Sequence, residues 1–262
     1  RKDLILLDAS MKIVIGKDPI IYEELICIPN TRKLELEKEF CNLESSQVHA
    51  LPTADQFSRS AQKLGINSDS LVVIYDNQGI YSSPRAWWTF KVMGFEKVYV
   101  LDGGLPKWLA EGRKTTQNFN NYIQQLGNVI GNYRRELVCD SDYVQNCINS
   151  SNTAIVDARA SKRFAGEEPE PRKGVRSGHI PNSLNLPFTE VLESYDFKNT
   201  DVINHVFSNL VGEANNELVF TCGSGITACI ALLASVVAGY SQVVLYDGSW
   251  ADWGSNHNLP IE

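Results

Sequence analysis

An internal duplication restricts this chain to a small set of folds. In the first half, Leu71-Val-Val-Ile-Tyr-Asp76 leads into a loop and a helix-like stretch ending at Met93, then Gly94-Phe95, Val98-Tyr-Val-Leu101 and Asp102-Gly-Gly-Leu-Pro-Lys-Trp108. In the second half, Leu218-Val-Phe-Thr-Cys222 leads into a loop and an apolar helix-like stretch to Ala238. Gly239-Tyr240, Val243-Val-Leu-Tyr246 and Asp247-Gly-Ser-Trp-Ala-Asp-Trp253 follow in the same order. Asp76 precedes Asp102 by 26 positions and Cys222 precedes Asp247 by 25. Each half also opens on a strand ending in Asp, at Asp8 and Asp157. The short, uninterrupted β-branched runs suit strands covered on both faces. Their alternation with helical stretches predicts two tandem α/β domains, each a mainly parallel sheet flanked by helices. The Asn/Gln/Gly-rich stretch between the halves has no strong period and reads as a linker. The expected division is therefore a domain over 1–116, a linker over 117–136 and a domain over 137–262.

With 262 residues, the chain has room for two such domains of roughly 130 residues each. Its longest uncharged run, 226–240, contains Thr227, Ser235 and Gly239. It is shorter than the roughly 20 residues of a membrane span, so a buried core helix is expected. A formal net charge of −7 gives no electrostatic reason to bind nucleic acid. An anionic substrate would have to be drawn in by local cations. The six cysteines contain no CxxC pair, and the four histidines form no metal-ligand cluster with them, so no metal and no organic cofactor is implied. Scattered cysteines in a chain this long fit a reducing, cytoplasmic setting better than a disulfide framework. No secretory signal pattern opens the chain, and its start at Arg1 leaves a removed leader open.

Among the cysteines, Cys222 stands apart. It lies in Thr221-Cys-Gly-Ser-Gly-Ile-Thr-Ala228, between a buried-strand pattern and an apolar helix. That is the carboxyl end of a parallel strand, where α/β folds place ligands. Its glycines let successive N–H groups curl around one point, and the helix N-terminus adds partial positive charge. Both favour a nucleophilic thiolate. A phosphatase loop would place an arginine six residues after the cysteine, but Ala228 stands there and no arginine follows. Cys229 and the remaining cysteines read as buried core thiols. In the first repeat Asp76 takes the cysteine's place, so that half is expected to be catalytically silent.

The Cys222 loop resembles that of the 3-mercaptopyruvate sulfurtransferases, members of the two-domain rhodanese family. Ser83-Pro-Arg-Ala-Trp-Trp88, Val100-Leu-Asp-Gly-Gly-Leu105 and Gly178-His-Ile-Pro-Asn-Ser-Leu-Asn-Leu-Pro187 extend the resemblance over nearly the whole chain. It implies two rhodanese-like domains with the site at their interface. It also implies sulfur transfer through a Cys222 persulfide from 3-mercaptopyruvate to a thiol, such as a thioredoxin-like protein, or to cyanide. The backbone of Gly223, Gly225, Ile226 and Thr227 would hold the charged sulfur. By the same resemblance Arg163 and Arg172 bind the donor, while Ser224, His49 and an acid, best matched by Glu35, form a proton relay. From residues alone, 163–172 reads rather as a solvated charge mix, because Glu167, Glu168 and Glu170 separate the arginines. Arg159 is expected to brace Asp157, and His179 to hold a structural turn. Tyr81 is placed facing the cleft, and Trp87, Trp88, Tyr99 and Trp108 in the core. Thiosulfate sulfurtransferases carry basic residues after the cysteine. This loop is neutral, which favours mercaptopyruvate as donor. A thiosulfate sulfurtransferase and a non-catalytic rhodanese-fold binding module are the alternatives.

Overall fold

A computed structural model describes residues 3–212 and 217–262. The chain divides into two compact units. The first comprises Arg1–Glu44, Leu51–Arg134 and Ser194–Asp196; the second comprises Ser45–Ala50, Arg135–Glu193 and Phe197–Glu262.

The first unit contains β1 (Leu4–Asp8), β2 (Arg32–Lys33), α1 (Ala54–Lys63), β3 (Leu71–Tyr75), α2 (Ser83–Val92), β4 (Val98–Val100) and α3 (Gly104–Ala110). Its strands are all parallel, in the order β2-β1-β3-β4. A reciprocal cap starts α1: Thr53 Oγ1 accepts the Gln56 N–H and Gln56 Oε1 accepts the Thr53 N–H. Pro84 opens α2, where its missing N–H costs nothing. Phe40, Phe57 and Phe90 build the core beside the sheet, with Phe57 edge-on to Phe90 at 4.9 Å. Tyr99, expected inside, is 54% exposed because β4 is an edge strand and its middle residue turns to solvent. Trp108 is half-buried, with its indole N–H on the Lys114 carbonyl.

The second unit adds β5 (Val138–Cys139), α4 (Ser141–Cys147), β6 (Thr153–Asp157), α5 (Ser161–Phe164) and β7 (Leu184–Asn185). After these come a short hairpin of β8 (Leu192–Glu193) and β9 (Asp196–Phe197), whose residues 194–196 are grouped with the first unit, then α6 (Thr200–Val211), β10 (Glu217–Thr221), α7 (Ala228–Val237), β11 (Val243–Tyr246) and α8 (Ser249–Trp253). The sheet runs β5-β11-β10-β6-β7, all parallel. Read from β7, this is the strand order of the first unit with β5 added at the far edge. The fold is thus two domains of one α/β architecture. β10 sits at the centre, and α7, apolar on all sides, is buried along most of its length. Trp250 and Trp253 anchor the core with Ile155, Val219 and Tyr246.

The repeats also match in their backbone exceptions. Asn30 and Asn182, ending the two Ile-Pro-Asn turns, take φ of 66° and 60°. Gly104 and Ser249, after the two Asp-Gly pairs, take 49° and 51°. A 3-10 turn, Arg135–Leu137, begins inside the linker expected over 117–136, and residues 117–134 contain no helix or strand. They lie along the first unit through backbone bonds such as Gly127 N–H to Gln62 O and Arg134 N–H to Val92 O. No helix of the described residues is long and apolar enough to cross a membrane.

Candidate functional site

The loop from Cys222 to Thr227 leaves the carboxyl end of central β10 and enters α7. Cys222 is 2% exposed. The start of α8 clamps its backbone: Trp250 N–H donates to Cys222 O at 2.9 Å and Ala251 N–H to Gly223 O at 3.0 Å. In return, Cys222 N–H donates to Ser249 Oγ at 3.3 Å. Gly225 supplies the reversal the loop needs, with φ of 78°. Among the described residues, the N–H groups of Gly223, Ser224, Ile226 and Thr227 donate to no protein acceptor.

The first unit shows what this kind of loop prefers to hold. There the buried Asp76 carboxylate sits inside its own loop. Its Oδ2 accepts from the N–H groups of Tyr81, Ser82 and Ser83 and from Ser83 Oγ, and its Oδ1 accepts from Gln78 N–H. Burial pushes the Asp76 carboxyl upward, while the Ser83 hydroxyl and the N–H groups of Ser83, Tyr81 and Gln78 oppose it. The strand-to-helix loop is therefore a cradle for negative charge, filled by a side chain in the first unit. Tyr81 is buried and its hydroxyl bonds Ile15 backbone groups of the same unit.

Three side chains converge on the loop in the second unit. Arg172 Nη2 donates to Ser224 Oγ at 3.1 Å, and His49 Nδ1 lies 3.1 Å from the same oxygen. His49 belongs to the first repeat in sequence, yet residues 45–50 group with the second unit. A Cβ built on Gly223 would stand 3.2 Å from Arg163 Nη2 and 3.7 Å from Arg172 Nη1. Both guanidinium groups therefore flank the residue next to Cys222. Glu35 lies in the first unit, half-exposed and 4.0 Å from Lys38, on the wall of an open depression shared with Asp8 and Lys33.

Behind the arginines lies a buried network, of which the Asp157–Arg159 pair is expected from the sequence but Glu170 is not. Asp157 holds Arg159 through Nε and Nη2, at 2.9 and 2.6 Å, and Arg159 stacks 4.4 Å over Trp250. Glu170, with its side chain 2% exposed, takes Arg159 Nη1 at 2.8 Å and Arg163 Nη2 at 2.5 Å. Glu170 is thus the carboxylate that fixes Arg163. The signal that could have separated it from Glu167 and Glu168 is its place between Pro169 and Pro171, where backbone freedom is least. His179 is structural: its ring stacks on Phe164 at 3.8 Å and Nδ1 meets the Phe164 carbonyl. All six cysteines are free thiols.

A parallel α/β unit with a cysteine in an anion-cradling loop, preceded by a unit of the same architecture whose loop is filled by Asp76, defines a tandem rhodanese-type protein. The family model described as a rhodanese-like domain matches residues 6–111 and 140–256. The chain belongs to the rhodanese-like family and, within it, to the sulfurtransferases. It is 34% identical to thiosulfate/3-mercaptopyruvate sulfurtransferase 1, mitochondrial, of Arabidopsis thaliana, covering 99% of this chain and 74% of that protein. It is 36% identical to the human 3-mercaptopyruvate sulfurtransferase, covering 95% of this chain and 84% of that protein. The crystal structure of SseA from Escherichia coli superposes with a TM-score of 0.82 at 30% identity, covering 95% of this chain and 93% of that one. Tum1 from Saccharomyces cerevisiae superposes with a TM-score of 0.86 at 25% identity, covering 98% and 91%.

Proposed function

We propose that the protein takes sulfur from 3-mercaptopyruvate onto Cys222 as a persulfide and passes it to a thiol, releasing pyruvate. The observation that carries this reading is the pair of guanidinium groups, Arg163 and Arg172, flanking Gly223 beside a neutral cysteine loop. Planar forks at that spacing suit the carboxylate and carbonyl of an α-keto acid. The names of the relatives support the donor.

In the proposed step the Cys222 thiolate attacks the donor sulfur, forming the S–S bond as the C–S bond breaks. The electron pair of that bond passes to carbon as the enolate of pyruvate. The N–H groups of Gly223, Ile226 and Thr227 offset the charge on the sulfur pair, and Gly225 supplies the turn that aims them. Ser224 protonates the enolate, and its oxygen takes a proton from His49 in exchange. An arginine only donates, so Arg172 occupies one lone pair of Ser224 Oγ. When His49 Nδ1 carries a proton it occupies the other, and the Ser224 hydroxyl proton then turns toward the loop. The acid behind His49 is assigned to Glu35 on sequence match. An incoming thiolate, or cyanide, then attacks the outer sulfur and restores the Cys222 thiolate. The acceptor is a small thiol or a thioredoxin-like protein, in keeping with six free cysteines and a reducing, cytoplasmic setting.

Incubation with 3-mercaptopyruvate followed by peptide mass spectrometry tests the reading. One sulfur atom is expected on the Cys222 peptide, together with stoichiometric pyruvate. No added sulfur refutes catalysis and leaves a binding module. Higher kcat/KM with thiosulfate than with mercaptopyruvate refutes the donor.

A further inference from the structure

The charges behind the Cys222 loop are arranged in pairs. Asp157 is matched to Arg159, and Glu170 to Arg163, with all four side chains in contact as one chain of ion pairs. Three of these side chains are at most 2% exposed, and Arg163, the one nearest the loop, is 13% exposed. Arg172 differs: its polar contact is the neutral Ser224 hydroxyl, and among the described residues it has no carboxylate partner. Lys162, the other cation of α5, points away, 70% exposed and 4.0 Å from Glu168. The two arginines flanking Gly223 are therefore not equivalent. Arg172 presents its full charge, whereas Arg163 presents hydrogen-bond donors on a group already neutralised from behind.

We propose that Glu170 is a specificity-determining residue, neutralising Arg163 so that the donor site is matched to a singly charged anion rather than a doubly charged one. The inference rests on the mercaptopyruvate reading and supplies its physical basis. Mercaptopyruvate carries one carboxylate charge, held by Arg172, and a carbonyl that needs donors but no net charge, met by Arg163. Thiosulfate carries two charges on one small group. With Glu170 in place, the second charge meets a neutral pair and a nearby carboxylate. Position 170 therefore selects donors by charge, although Glu170 acts through Arg163.

The test is the ratio of kcat/KM for thiosulfate to kcat/KM for 3-mercaptopyruvate, in which the fraction of folded enzyme cancels. Glu170→Gln keeps the side-chain shape and removes the charge. It is expected to raise the ratio roughly tenfold, the effect of one unpaired charge a few ångströms away at a partly wetted site. Glu170→Asp keeps the charge and shortens the reach. It is expected to slow both donors while holding the ratio near the wild-type value. Glu168→Gln, on the solvated side of the same segment, controls for the net charge of the protein and is expected to leave the ratio unchanged. An unchanged ratio in Glu170→Gln overturns the proposal, and so does an equal rise in Glu170→Asp, which would make geometry the cause. A wild type that already prefers thiosulfate refutes the donor reading instead, and it is seen before any variant is made.

Discussion

Ser249 is the residue whose replacement best tests how Cys222 is held. Its φ of 51° lies in the left-handed region, which an L-residue other than Gly or Asn enters at a cost of about 1–2 kcal/mol. The first repeat places Gly104 there, at 49°, because a Cβ would stand 2.4 Å from the Asp76 carbonyl oxygen. In the second repeat a serine is tolerated, and its fully buried hydroxyl accepts the Cys222 N–H at 3.3 Å and donates to Tyr246 O at 3.0 Å. Ser249→Ala keeps the backbone cost and leaves the buried Cys222 N–H without its acceptor. The expected loss is about 1–2 kcal/mol, the lower part of the usual range because the bond is long. With a urea m-value of about 2 kcal/mol per molar, the unfolding midpoint falls by roughly 0.5–1 M. Ser249→Gly loses the same bond but relieves the backbone, offset by about 0.5–1 kcal/mol for the freer unfolded chain. It should therefore unfold between wild type and Ser249→Ala. Urea unfolding followed by tryptophan fluorescence measures both. Ser249→Ala at the wild-type midpoint, or Ser249→Gly below Ser249→Ala, would refute this account.

Asp76→Asn should destabilise the protein by about 1–3 kcal/mol, since an amide NH2 must face at least one of the five donors now on the carboxylate; a variant as stable as wild type in urea would count against the anion cradle. Gly223→Ala should raise the KM for mercaptopyruvate several-fold at nearly unchanged thermal stability. The new methyl meets the tip of Arg163 at 3.2 Å, and the backbone there is not left-handed; steady-state kinetics with both donors decides. Burial pushes the thiols of Cys27, Cys41, Cys139 and Cys147 upward. The unfolded chain thus ionises first, so this stabilisation is complete below about pH 8.5 and is lost as pH rises toward the folded values. The urea midpoint should fall between pH 7 and pH 10, and a midpoint independent of pH would contradict these shifts.

The sequence alone carried what is encoded locally. Apolar strand runs, Gly-aromatic junctions and Asp-Gly turns each act over a few residues, so their repetition disclosed two domains of one design. The Gly-Ser-Gly turn at Cys222 and the aspartate at position 76 likewise act within their own loops, and their contrast set the two halves apart. The tertiary structure decided what depends on distance along the chain. His49 and Ser224 are 175 positions apart, and no local pattern could place residues 45–50 in the second unit. Tyr99 reads as core by hydropathy and lies outside because the sheet ends at β4. Glu167, Glu168 and Glu170 have the same apparent solvation in sequence, and the flanking prolines alone set Glu170 apart. Only the fold closes Arg159 and Arg163 around Glu170, because a carboxylate gives up water only where other donors replace it, here two guanidinium groups. The sequence thus singled out the Cys222 loop, and the packing behind it decided which charges beside that loop are paired.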